Sequence, residues 1–408
     1  MPSADIESAV YTLALMLMGA ALLSILAWRL DLPYAVALVL GGLAVEESHL
    51  VALPQLDPPV LLFVFLPPLL FDAAFRLDDV QLRRLAQPVL WLAVPGTVAT
   101  AAIVAAALYA TLHLPLAEAL LFGSIVSATD PVAVVGVFRN LKAPRRLAVL
   151  VEGESLINDG VAITLYTAAI GLITAGTADV PAALTLFVRQ VAGGVVIGAI
   201  LGVLFSRLSA IIDDHMIEMT LSTALAYGSY LLAQSMDTSG ALACVAAGLI
   251  HGSYGREVGM SERTRRLLDD LWEYVGFVVN ALVFLLVGFT TSLAALAAAA
   301  APVLVSIVSV LLARVVVIVI PPELLRLTRR VRVVTSRGER VVLIWGGLRG
   351  ALTITLALAL PSSIADRQLL IAMAFGVVLF TLLVQGMTLK FVIQRAGLTE
   401  YPSERAAA

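Results

Sequence analysis

Apolar residues run through this 408-residue chain in long blocks, separated by short polar segments rich in arginine, proline and glycine. A helix that crosses a bilayer needs about 20 such residues. The blocks predict thirteen spans, near 8–28, 33–46, 58–75, 86–112, 115–138, 146–175, 181–208, 217–236, 239–252, 267–293, 302–320, 340–360 and 368–393. The second and ninth are short enough to be tilted or partly re-entrant. The alternating ten-residue strands of a membrane β-barrel are absent from the pattern. The fold class expected is therefore an all-α polytopic membrane protein.

Basic residues test the count. With the N-terminus outside, 22 of the 26 Lys and Arg residues fall in inside loops or the C-terminal tail, against Arg189 and Arg367 outside. The inside set includes Arg76, Arg139, Lys142, Arg145, Arg256, Arg329, Arg330, Arg332 and Arg405. This is the asymmetry of the positive-inside rule, and it predicts an N-out, C-in chain. Composition agrees: 60% of residues are hydrophobic and 13% charged, where soluble chains carry about a quarter charged. The single Cys244 forms no internal disulfide, and four scattered histidines give no zinc cluster. The first span is too long, and its acidic flank wrongly charged, for a cleaved signal peptide.

Two arginines, Arg314 and Arg349, fall inside spans, as do Asp72, Asp130, Glu154 and Asp159. A charge at bilayer depth costs about 2.5–3.5 kcal/mol on insertion scales and marks function by default. The fifth span carries Thr129-Asp130-Pro131, where proline should break the helix. The twelfth carries Gly346-Gly347-Leu348-Arg349-Gly350, a second break. These two spans run in opposite directions, which predicts an inverted-repeat transporter with its site where the broken helices cross. Gly194, Gly198 and Gly202 form a small-residue stripe for close packing, within a protomer or between two.

ATDPVAV (128–134) and GESLINDGVAI (153–163) resemble the paired signature of monovalent cation/proton antiporters, in the sodium/proton exchanger branch of electroneutral, Asn-Asp type. LPPLLFDAAF (66–75), GGLRGA (346–351) and LVQGMTLK (383–390) follow in the same order. The resemblance implies a homodimer in which a six-helix core moves against a dimerisation domain. The implied division is 1–85 and 176–295 for dimerisation and linker helices, 86–175 and 296–395 for the core, and 396–408 for a short tail. It implies a Na+ site on Asp159 with Thr129, Asp130, Ser155 and Asp72 nearby. Here Asp72 stands where the family carries Glu or Asp, and its shorter reach leaves direct ligation open. The short tail points to a prokaryotic-type protein of the inner membrane. No cofactor is implied beyond the transported Na+ and H+, and no nucleic acid; the partners are lipid and a second copy.

The residues themselves support such a reading. A carboxylate takes either a hard cation or a proton on the same lone pairs, so Asp159 would couple the two by exclusion. Asn158 hydrogen-bonds but does not titrate, so a single carrier predicts one proton per Na+. Asp130 and Arg349 suit the positive and negative half-helix ends, a structural role preferred for Asp130 over ion binding. Thr129 and Ser155 offer neutral oxygens, although hydroxyls in apolar helices more often bond their own backbone. Arg314 must find an anion, and Glu154 is its expected partner. The alternatives are K+/H+ exchange on the same fold, a channel and, more remotely, an intramembrane aspartyl protease using Asp130 with Asp159.

Overall fold

A computed structural model of the chain describes residues 2–30, 32–48, 61–175, 180–212, 214–289, 293–328 and 336–399, and all regular structure among them is helical. Arg329, Arg330, Arg332, Arg405 and the first residues of the predicted third span lie outside the described residues. By length and composition, six helices among the described residues are long and apolar enough to cross a membrane. The outer surface fits a lipid solvent. Large apolar side chains such as Leu22, Ile200, Leu204, Leu304 and Leu312 are exposed, while Asp72, Glu154, Asn158, Arg314 and Arg349 are buried.

The helices are α1 (Pro2–Arg29), α2 (Tyr34–Ser48), α3 (Leu66–Arg76), α4 (Ala86–Leu112), α5 (Leu116–Ile125), α6 (Val132–Asn140), α7 (Arg145–Ala175) and α8 (Val180–Ser209). They continue with α9 (His215–Ser235), α10 (Gly240–Ile250), α11 (Glu262–Phe289), α12 (Ala300–Thr328), α13 (Arg337–Trp345), α14 (Ala351–Leu358) and α15 (Arg367–Arg395). Polar caps set several starts. Ser336 and Glu339 close a capping box on α13, and Asp214 accepts from the first amides of α9. Helix α11 begins five residues ahead of the predicted apolar run. Its first turns, Glu262 to Glu273, are charged and amphipathic, so hydropathy alone misses them.

Two sets of contacts recur, joined by one buried cluster that runs from Phe71 and Trp272 to Phe122 and Val310. In one, α2 and α3 pack on α11, and α8 and α9 pack on α10, around Phe71, Phe75 and Trp272. In the other, α4, α5 and α7 pack together with α12 and α15, and Val89, Phe138, Leu150, Val317 and Leu389 share a core. Three π-helical turns among the described residues, Leu61–Phe65 before α3, His251–Gly255 after α10 and Thr381–Gly386 inside α15, shift side chains off the regular register.

The glycine stripe of α8 meets α10 within the same chain. A Cβ at Gly194 would lie 2.4 Å from the Ser239 carbonyl, and one at Gly198 2.1 Å from that of Ala243. Gly202 faces Ala247, so a four-residue ridge of small side chains on α10 fits the four-residue stripe on α8. Replacing Gly198 by Leu should therefore push the helices apart and destabilise the fold by roughly 1–3 kcal/mol or more. Gly171→Ala, where nothing lies within 4 Å, should leave the thermal midpoint in detergent unlowered. Equal melting of the two variants would contradict this packing.

Candidate functional site

The site is built on two interrupted helices. Residues 126–131 leave the helical path between α5 and α6, and residues 346–350 leave it between α13 and α14. The two segments cross and touch: the Asp130 N–H donates to the Leu348 carbonyl at 2.9 Å. Unwound backbone is tolerated at membrane depth only when protein or a water-lined cavity satisfies it. Helix α7 supplies part of that. The Thr129 N–H donates to Asn158 Oδ1 at 3.3 Å, and the Ser155 hydroxyl donates to the Thr129 carbonyl. Asn158 Nδ2 donates to Thr129 Oγ1 at 2.7 Å, and Thr129 Oγ1 donates to Ser155 Oγ at 3.3 Å. The π turn of α15 serves the other segment. Thr381 Oγ1 accepts from the Arg349 N–H at 3.1 Å, and Gln385 Nε2 donates to the Trp345 carbonyl at 3.2 Å.

The half-helix ends then dictate where charge sits. The N-termini of α6 and α14 converge on Asp130, whose carboxylate accepts from the Val132 N–H at 2.9 Å and from that of Ala351. A Cβ on Gly350 would lie 1.8 Å from Asp130 Oδ2, so only glycine leaves room for this contact. At the C-terminus of α13 the donor is Arg314, whose Nε reaches the Leu343 carbonyl at 3.1 Å. Arg314 also holds Glu154 in a two-point ion pair, with Nη2–Oε2 at 3.1 Å and Nη1 on Oε1. Both side chains are nearly inaccessible, at 8% and 2%. Arg349, expected at a helix C-terminus, is 1% exposed, and its Nε and Nη1 have no hydrogen-bond partner among the described residues. Glu154, Asp159 and Arg314 are the charged groups that act on it.

Of Asp72, Asp130, Glu154 and Asp159, three have a dedicated donor. Asp130 has backbone amides and Glu154 has Arg314. Asp72 has Arg76, at 2.5 Å from Nε and 2.8 Å from Nη2. Asp159 Oδ1 is buried with no hydrogen-bond partner among the described residues.

A cavity of about 660 Å³ leads to it. Its walls come from α2, α3 and α11 on one side, and on the other from α6, α7 and the two unwound segments. Thr129, Asp130, Ser155 and Asp159 line it, and so does Asp72, which stands across from them on α3. Its far end is marked by the exposed Arg139, Lys142 and Arg145. Asn158 is 1% exposed and does not line the cavity; it lies behind, clamping Thr129.

Four polar residues of this site carry no role in the sequence reading: Thr381 and Gln385, which bind the second unwound segment, and Tyr34 and Asn280, which line the cavity. Gln385 and Asn280 are each a lone amide in an apolar run, and that was the available signal.

The family model for the transmembrane part of sodium/hydrogen exchangers matches residues 14–395. The Na+/H+ antiporter NhaH of Halobacillus aidingensis is 36% identical over 379 residues, spanning 90% of this chain and 92% of that protein. ApNhaP, a Na+/H+ antiporter of Aphanothece halophytica, is 38% identical over 396 residues, spanning 97% of this chain and 75% of that one. Among solved structures, the sodium proton antiporter MjNhaP1 from Methanocaldococcus jannaschii at pH 8 superposes with a TM-score of 0.80. The match covers 96% of this chain and 99% of that chain at 19% identity, a likeness that establishes the fold.

The buried pair yields a stability test. Glu154→Ala leaves Arg314 without its anion, and orphaning one partner of a buried pair costs about 3–5 kcal/mol. The variant should melt earlier in detergent. Glu154→Ala with Arg314→Ala should recover part of the loss, although the Leu343 carbonyl then lacks its donor. A double variant no more stable than Glu154→Ala alone would remove the pair from this role.

Proposed function

The chain belongs to the sodium/hydrogen exchanger family, in its NhaP-like branch, and from that premise we propose how its site works. It is a secondary transporter and not an enzyme, an integral protein of the cell membrane that exchanges Na+ for H+. Asp159 is the shared carrier. The observation that carries this is its buried oxygen without a donor among the described residues, at the end of a cavity where Asp72 and Asp130 are already engaged. Such an oxygen is completed by a proton or by a hard monovalent cation, and by one at a time.

The hydroxyls beside it are prepared for a cation. Ser155 spends its proton on the Thr129 carbonyl and Thr129 spends its own on Ser155, so both oxygens keep a lone pair free. Asn158 orients Thr129 from behind. Asp72, paired with Arg76 on the opposite wall, is an outer neighbour rather than a direct ligand.

The buried charges account for the stoichiometry. Arg314 and Arg349 oppose Glu154, Asp130 and Asp159, which leaves one negative charge for one monovalent cation to neutralise. Exchange is therefore one for one and electroneutral. Asp130, whose oxygens accept from the amides of two half-helices, holds the crossing together, a role that does not suit a protease dyad sharing one proton. In this reading the chain has thirteen spans, N-out and C-in, and the cavity opens to the cytoplasm. The core of residues 86–175 and 296–395 slides against the rest to expose Asp159 alternately, in a homodimer.

Three measurements test this. In proteoliposomes, Na+-driven proton flux should not change when K+ and valinomycin impose a membrane potential; a rate that follows the potential excludes the one-for-one scheme. Apparent Na+ affinity should weaken as pH falls, by up to about tenfold per pH unit once Asp159 is mainly protonated, as mass action at one shared site requires. An affinity constant across the working range means separate sites. Asp159→Asn should insert, fold and melt normally but carry neither ion, and retained exchange would refute the carrier assignment.

A further inference from the structure

Helix α7 presents a second carboxylate to the same cavity. Glu152, Ser155 and Asp159 follow one another at helical spacing and all three line it. Seven residues separate the two acids, about 10 Å along the helix, so Glu152 sits two turns nearer the end marked by Arg139, Lys142 and Arg145.

The charges around Glu152 are Arg139 of α6, Arg76 of α3, Arg145 of α7 itself and Asp78 from the segment after α3. Two of these arginines have other partners. Arg145 pairs with Asp78 at 2.6 Å, and Arg76 with Asp72 at 2.5 Å and Glu273 at 3.6 Å. Among the described residues Glu152 makes no ion pair within 4 Å and no side-chain hydrogen bond, and it is half-buried. A counter-ion kept for scaffolding would be paired. Arg139 and Lys142 are exposed at the same mouth, and neither is in an ion pair among the described residues. On its own, that positive rim would repel a monovalent cation heading for Asp159.

We propose that Glu152 is a transit site for the exchanged cation, holding Na+ briefly between the rim and Asp159 and offsetting the field of Arg139 and Lys142. The inference rests on Asp159 as the carrier. Glu152 has no buried donors and no converging hydroxyls, so it releases what it holds.

The test is Na+-driven proton flux in proteoliposomes at low ionic strength, with detergent melts to establish folding. Glu152→Gln should raise the apparent KM for Na+ roughly tenfold while the maximal rate stays near that of the parent. The difference should shrink as choline chloride is added, because salt screens exposed charge. Glu152→Asp should restore most of the affinity, and Glu152→Gln with Arg139→Gln should restore part of it by removing the cation left unopposed. An unchanged KM in folded Glu152→Gln overturns the proposal. So does a raised KM that neither salt nor Arg139→Gln alters, since that describes a packing defect. Asp159→Asn, run alongside, judges the carrier separately: if it still exchanges, that assignment falls whatever Glu152 does.

Discussion

Backbone that leaves a helix inside a bilayer has no water to bond, and this chain does so twice at one point. Everything at the crossing answers that constraint. The Thr129 amide and carbonyl are taken by Asn158 and Ser155, the Arg349 amide by Thr381, the Trp345 carbonyl by Gln385 and the Leu343 carbonyl by Arg314. The amides of Val132 and Ala351 fall to Asp130. Residues that read as a list of ion ligands are thus, first, the groups that make an unwound membrane segment affordable. What remains after those bonds are made is the chemistry: two hydroxyl oxygens with spare lone pairs and one carboxylate with no donor.

The same division of labour separates the acids. Of Asp72, Asp130, Glu154 and Asp159, three are committed to fixed donors. A committed carboxylate has its oxygens taken up by fixed donors. Asp159 keeps an oxygen with no donor among the described residues. The carrier proposed above, Asp159, thus differs from Asp72, Asp130 and Glu154 in that those three are satisfied by other groups.

Much of this was legible in the sequence. Proline after Asp130 and the glycines around Arg349 marked the breaks, and the lone charges in apolar runs marked the buried set, including the Glu154–Arg314 pair. The rest depended on which side chains meet in space. Nothing in LVQGMTLK says that a π turn rotates Thr381 and Gln385 onto a distant unwound segment. Charge sign alone could not tell which arginine bonds the end of α13, and the reach of Arg314 to Leu343 decides it. The glycine stripe of α8 fitted an intermolecular or an intramolecular partner equally until the small residues of α10 were seen opposite it. Asp72 lost its freedom to an arginine one turn along its own helix, a pairing visible as i, i+4 spacing but overshadowed by the motif around it.

Asp130 and Gly350 also bear on how this chain can vary over generations. The two belong to different halves of the sequence, yet the carboxylate occupies the space where any side chain at 350 would stand. Glycine is already the smallest residue, so no accommodating change remains on that side, and a longer acid at 130 finds no vacated volume. Drift at either position is blocked by the other. A relative with a side chain at 350 should depart at 130 as well, and its two broken helices must then be joined by a different set of bonds.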